Sequence, residues 1–216
     1  MTETTGRPAG PPPAPSSAAE VFGDRLGRAE RFAQILADTG VSHGLIGPRE
    51  VPILWERHIL NCAVVHEAFP ADARVVDVGS GAGLPGIALA LARPDLQLVL
   101  VEPMQRRTDW LEVTVADLGL ETVQVRRARA EELHGELDAP FVTARAVARI
   151  DKLARWCLPL TEPGGRLVAM KGRTAPDELA AAEKALRRAG GRDGRVGSYG
   201  ATVLPEPTLT IEVTRR

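Results

Sequence analysis

Ten residues, Asp77-Val-Gly79-Ser-Gly81-Ala-Gly83-Leu-Pro85-Gly86, constrain this chain more than any others. They follow the β-branched run RVVDV (74–78) and lead into the apolar run IALALA (87–92). Three alternate glycines let a backbone turn sharply and approach a ligand closely. Pro85 suits a first helical turn, where a missing N–H costs nothing. A strand that passes through such a turn into a helix points free N–H groups at whatever binds there. The expectation is an α/β fold with a ligand at the carboxyl end of its first strand.

The rest of the chain agrees. From Arg74 onward short β-branched runs (RVVDV, LQLVLVE, TVQVRRA, PFVTARA, GRLVAMKG) alternate with helical stretches at 85–92, 104–118, near 131, 150–158 and 176–188. That alternation predicts a mostly parallel sheet covered on both faces. Val196–Val203 and Thr208–Thr214 flank LPEP with no helix between them, and predict an antiparallel hairpin that finishes the sheet. Upstream, Phe22, Leu26, Ala29, Ala33 and Leu36 share one helical face that Gly40 ends. A second helix is predicted over about 48–68, with Val51, Trp55, Ile59 and Cys62 on its apolar side. Residues 1–18 hold five prolines and no large apolar residue after Met1, which predicts a disordered tail. The resulting division is a tail (1–18), a helical cap (19–72) and a ligand-binding domain (73–216).

Two ligands compete for the glycine loop. Gly81-x-Gly83-x-x-Gly86 fits a dinucleotide fingerprint, and Glu102 follows Gly81 by 21 residues, where a ribose-binding acid belongs. The DxGxGxG register favours another ligand. Asp77, at the strand's end, would repel a pyrophosphate and suit an amine-bearing ligand such as the methionine part of S-adenosylmethionine. Glu102 would accept ribose hydroxyls in either case.

Composition excludes several classes. No apolar run approaches the ~18 residues of a membrane span, and the N-terminus lacks a signal-peptide layout, so a cytoplasmic protein is expected. Cys62 and Cys157 have no metal-ligand spacing and read as buried thiols; no metal is expected. Three Trp, one Tyr and four Phe are too few for a base-stacking platform. The net charge of −1 hides an asymmetry: residues 1–122 carry 10 Lys/Arg against 16 Asp/Glu, and residues 123–216 carry 17 against 12. The basic second half reads either as a nucleic-acid footprint or as solvated helix faces.

DVGSGAGLPGIALA, VEPMQRRTDWLE, RARAEEL, FVTARAVA and LVAMKG occur in this order, with WERHILNC upstream. Together they resemble the bacterial 16S ribosomal RNA guanine-N7 methyltransferases, the glucose-inhibited division protein B type, over nearly all of Glu20–Arg173. The resemblance implies a class I methyltransferase fold, Rossmann-like, with a seven-stranded sheet containing one antiparallel strand. It implies S-adenosyl-L-methionine as methyl donor and 16S rRNA or the small ribosomal subunit as partner. A monomer is expected. Gly79 and Leu84 match loop positions at the cofactor; Asp77, Ser80, Gly81 and Gly83 are the further cofactor-binding candidates that the loop itself offers. Ala130 and Glu131 match positions at the adenine, Glu102 the ribose acid, and Arg145 an arginine shared by cofactor and active site. The chain departs from the family in GLIGPRE before WERHILNC, in Asn61 where an Asp is common, and in a last strand (PEPTLTIEV) without a basic residue near its start.

Guanine N7 carries an in-plane lone pair and no proton, so attack on a sulfonium methyl needs no general base. Alignment carries the rate, and can supply ~7–11 kcal/mol. Arg145 ends the fourth strand and Lys171 the fifth, so both are expected at the substrate, holding O6 or phosphates and leaving N7 free. Arg129 and Arg173 are further candidates for RNA contact. His58, beside Arg57 and Asn61, reads as a packed core histidine or as a functional one. A small-molecule acceptor, a nicotinamide-dependent oxidoreductase and a non-enzymatic RNA-binding protein remain the alternatives.

Overall fold

The computed structural model describes residues 10–216. The predicted tail therefore lies partly outside the described residues, and from Gly10 onward it is corrected. The helix α1 (Ser16–Phe22) begins inside it, Ala18 is buried, and the Pro12 carbonyl accepts a 3.0 Å bond from Trp55 Nε1. A proline-rich segment has little backbone freedom to lose, so one indole and one buried alanine suffice to hold it.

A 3-10 turn, α2 (Leu26–Ile35) and a π segment (Leu36–Gly40) follow; the expected stop at Gly40 is corrected, since the helical run continues through residues 41–42, Val41 is itself helical and the His43 N–H bonds back to the Thr39 carbonyl. The second runs from Pro48 to Ala68. It opens as 3-10 helix (Pro48–Ile53), continues as a π segment (Trp55–Leu60), and closes through α3 (Asn61–Ala63) and a 3-10 segment (Val64–Ala68). Pro52 lacks the N–H that an α-helical opening would use.

The alternating region forms β1 (Arg74–Val78), α4 (Gly86–Ala92), β2 (Gln97–Glu102), α5 (Gln105–Asp117), β3 (Val123–Arg127), a 3-10 turn (Ala130–Leu133), β4 (Ala139–Arg145), α6 (Ile150–Cys157), β5 (Thr161–Lys171), α7 (Ala175–Arg188), β6 (Gly191–Tyr199) and β7 (Thr208–Arg215). The seven strands lie in the order β3-β2-β1-β4-β5-β7-β6, with β7 antiparallel to both neighbours and the remaining pairs parallel. The terminal hairpin is present, but β6 starts five residues before the predicted Val196. Gly191-Arg-Asp-Gly-Arg195 has turn composition, and an edge strand tolerates it.

Both faces of the sheet are covered, which is why its strands read as near-continuous apolar runs. Val75, Leu98 and Leu100 join α4, α5 and the N-terminal helices in one cluster. Val76, Val78, Val99 and Val101 join α6, α7 and the 130–133 turn in the other. By alternation Asp77 shares the face of Val75, toward α4. Successive strands run outward from β1 through β2 to β3, and β4 then returns to the other flank of β1. That reversal opens a crevice at the carboxyl ends of the strands, where open α/β sheets bind ligands. Among the described residues, no helix is long and apolar enough to cross a membrane.

Candidate active site

The cleft lies at that reversal. A cavity of about 150 Å³ is lined by Val78, Gly79, Val101, Ala130, Val147 and Trp156, with Arg129 and Glu131 at its edge. Two larger grooves, of about 640 Å³ each, lie between α7 and β6 and between α2 and α5, away from the glycine loop. At Gly79 φ is +76°, and a Cβ there would stand 2.7 Å from Val147 Cγ2. The turn requires a positive φ that other residues resist, and the loop after β4 closes directly over it.

The loop is braced by its own neighbours. Asp77 Oδ2 accepts the Gly86 N–H at 3.0 Å, and Ser80 Oγ donates to the Asp77 carbonyl at 2.9 Å. A methyl group at Gly86 would run into Leu100 and Asp77 Oδ2, so only glycine lets the α4 N-terminus seat on the strand. Glu102, 2% exposed, accepts Gly81 N–H at 3.2 Å and Met104 N–H at 3.1 Å. A carboxylate offers about four lone-pair sites, so acceptor capacity remains on Glu102.

Arg145, at the end of β4, is held by the second helical run. Its Nη1 donates to Cys62 Sγ at 3.1 Å, and its Nη2 reaches His58 Nδ1 at 2.7 Å and the Arg57 carbonyl at 3.3 Å. None of these partners is a carboxylate. The guanidinium is thus fixed without being neutralised, and it keeps N–H groups for a ligand.

A family model described as rRNA small subunit methyltransferase G matches residues 25–203. The chain belongs to this family. A "Ribosomal RNA small subunit methyltransferase G" of Renibacterium salmoninarum is 53% identical over 199 residues, 92% of this chain and 93% of that one. One from Salinispora tropica is 53% identical over 213 residues, covering 95% and 88%. Among solved structures, a SAM-dependent methyltransferase from Aquifex aeolicus superposes with a TM-score of 0.58 at 18% identity, covering 81% of this chain and 98% of that one. TYW2 from M. jannaschii, solved in complex with AdoMet, gives 0.57 at 16%, covering 76% and 78%. These two show that the fold is that of the class I methyltransferases, as the resemblance implied.

Against the rRNA small subunit methyltransferase G reading, the predicted residues sort into three groups. Gly79, Ala130, Glu131 and Arg129 meet at the cleft, with Arg145 and Glu102 at the neighbouring strand ends. Ser80 and Leu84 are buried within the loop and shape it. Gly81 and Gly83 take φ values of +52° and +75° in the same turn. Asp77 needs correcting: it does not stand at the lip of the strand but is fully buried beneath the loop, because its strand face is the one α4 covers. Its Oδ1 has no partner, and burial pushes its carboxyl up to about 7.

Lys171 is the second correction. Its Nζ donates to the Ala148 carbonyl and to Glu178 Oε1, each at 2.8 Å, and its side chain is 10% exposed. The same Glu178 oxygen accepts the Ile150 N–H at 2.6 Å. Lys171 therefore ties the 146–149 loop and the start of α6 to α7, and has no charge to spare for RNA. Lys171→Met is expected to destabilise the fold by roughly 1.5–3 kcal/mol, the size of a hydrogen bond to a charged group, since it leaves the half-buried Glu178 carboxylate with the Ile150 N–H but without its ammonium. The salt dependence of RNA binding should keep its slope, whereas loss of a phosphate contact would lower that slope by about one; denaturant titration and binding at several salt concentrations check both.

Arg173 is exposed and paired with Glu206 through two N–H groups. Arg187, Arg192 and Arg195, part of the basic second half, pair with Glu183, Asp193 and Glu212 on α7, β6 and β7, at the sheet edge opposite β3. They do not form one basic face around the cleft. Val147 and Trp156, which wall it, carried no signal in the sequence. Among the described residues, no cluster of three or more acidic, His or Cys side chains could hold a metal ion.

Proposed function

We propose that this chain transfers the methyl group of S-adenosyl-L-methionine to N7 of a guanine in 16S rRNA. One observation carries the reading: relatives that share about half of its residues over nearly its whole length bear the name Ribosomal RNA small subunit methyltransferase G. The reading places the chain in the cytoplasm, acting as a monomer on RNA of the small subunit.

The residues at the cleft fit the cofactor. Ala130 and the walls formed by Val78, Val147 and Trp156 suit the flat, largely apolar adenine, with Glu131 at its polar edge. Glu102 has acceptor capacity for ribose hydroxyls, and Gly79 leaves room that a side chain would fill. Asp77 Oδ1 is a buried acceptor without a donor, as a site awaiting an ammonium group requires. Bound there, S-adenosyl-L-methionine supplies a methyl group activated by its sulfonium. Arg145 then orients the acceptor. Its remaining N–H groups hold guanine O6 or a phosphate and leave N7 unprotonated and open to the methyl. Arg129 and Arg173 neutralise phosphates of the RNA strand, Arg173 by exchanging its exposed pair with Glu206 for one with the substrate.

Labelled S-adenosyl-L-methionine incubated with small subunits from a strain lacking this modification tests the reading. The expected product is 7-methylguanosine in 16S rRNA, formed in a salt-sensitive reaction. No label in 16S rRNA would remove the proposal.

A further inference from the structure

Glu50, His58 and Arg145 form a continuous hydrogen-bonded chain that the cleft residues do not explain. Glu50 Oε2 stands 2.7 Å from His58 Nε2 and 3.5 Å from Arg57 Nε, and His58 Nδ1 stands 2.7 Å from Arg145 Nη2. A guanidinium has no acceptor and cannot lose its proton, so Nδ1 must accept. The imidazole proton then sits on Nε2 and is donated to the Glu50 carboxylate. The tautomer follows from the partners alone.

We propose that His58 and Glu50 are positioning residues for Arg145 in the methyl-transfer reaction. The inference rests on the methyltransferase reading, in which Arg145 touches the acceptor. Three features favour a positioning role over simple packing. His58 is 8% exposed and meets its two partners with opposite ring atoms, which fixes the plane of the ring. Arg145 reaches across 87 residues of sequence to make that contact. Glu50 spends its charge on His58 and Arg57, on the far side of the imidazole from Arg145, so the guanidinium is aimed by a neutral group and keeps its full charge for the substrate.

The chain works only while His58 is neutral. A proton on Nδ1 removes the acceptor and sets an imidazolium against a guanidinium at 2.7 Å. The groups facing His58 are Glu50 and Arg57 from its own helical run and Arg145 from β4, with Cys62 and Asp77 beyond Arg145. Burial and the Arg145 charge hold the His58 pKa below the ordinary 6.5, against the Glu50 bond, which raises it. Activity is therefore retained through neutral pH and lost on the acid side as His58 protonates. Asp77 also titrates near neutrality, so the readout is the difference between variants and wild type.

The test is the pH profile of kcat/KM on small subunits for wild type, Glu50→Gln, His58→Ala, His58→Asn and Arg145→Ala. His58→Ala is expected to lose roughly 10- to 100-fold, the size of one hydrogen bond to a charged group. His58→Asn places an amide oxygen near the position of Nδ1; it should recover most of that loss and lack the His58 acid limb. Glu50→Gln should shift the acid limb to lower pH, because it removes the carboxylate that favours protonation. Should wild type label no RNA, the methyltransferase reading itself fails. Should wild type be active and Arg145→Ala dead, while Glu50→Gln and His58→Asn keep the wild-type profile, the positioning role is refuted and the reading stands. His58→Asn folding normally yet as inactive as His58→Ala would equally overturn it.

Discussion

Arg145→Ala is expected to lower kcat/KM for methyl transfer by roughly 10²–10³-fold, the usual cost of removing one preorganised donor from a reaction centre. The expectation follows from how the guanidinium is held. Its protein partners are a thiol, an imidazole and a carbonyl, which orient it without cancelling its charge. Arg145→Lys should not restore the rate, because one ammonium cannot meet Cys62, His58 and Arg57 and still present a flat pair of donors to the substrate. Truncation also strands His58 Nδ1, which costs about 1–3 kcal/mol of stability if no water replaces the donor. Steady-state kinetics with small subunits, beside a denaturation curve, separates the two effects. A variant with wild-type kcat/KM and only the stability loss would make Arg145 a strut between β4 and the helical cap.

The sheet was legible because its physics is local. Strands buried on both faces must be apolar along their length, and RVVDV, LQLVLVE and LVAM announce that without reference to any neighbour. The turn at Gly79–Gly86 was legible for the same reason, since a strand, alternate glycines and a helix start within ten residues leave few other shapes. The segment from Gly10 to Ala18 misled because its composition is that of a tail. Its order comes from Trp55 and from burial of Ala18, partners invisible in the segment itself.

The site was legible only in part. Gly79, Ala130 and Glu131 come together because they follow β1 and β3, parallel strands whose carboxyl ends lie along one edge of the sheet with β2 between them. Lys171 sits at a strand end as expected, yet its ammonium is captured by Glu178, seven residues on, once α7 folds back. The same holds for Asn61, whose amide donates to Thr208 Oγ1 at 2.8 Å while that hydroxyl donates to the Asn61 carbonyl at 2.9 Å. Asn61 thus fastens the second helical run to β7. Position along a strand could be read from the sequence, but the partner of each charge could not, because long side chains choose partners only after distant elements dock.

Asp77→Asn is expected to make the protein more stable and a poorer binder of S-adenosyl-L-methionine. Burial pushes the Asp77 carboxyl from 3.8 up to about 7. The folded state therefore keeps a proton there that the unfolded state has released, and this contribution to stability is whole below about pH 4, falls as pH rises, and is spent by about pH 7. Asn keeps an oxygen for the Gly86 N–H and carries no charge, so it escapes that loss. Relative to wild type the variant should gain little near pH 4 and on the order of 3–4 kcal/mol at pH 8; comparing the two sequences at each pH cancels the histidines that titrate nearby. Binding moves the opposite way. A cationic cofactor favours the ionised carboxylate, so wild-type affinity should rise between pH 6 and 8, while the Asn variant should bind at least about tenfold more weakly, as loss of a hydrogen bond to a charged group implies, and show little pH dependence. Function retained at a cost to stability is what one expects of a carboxylate kept buried for its ligand. A variant that is more stable at pH 8 yet binds the cofactor as wild type does would reduce Asp77 to the peg on which Gly86 hangs.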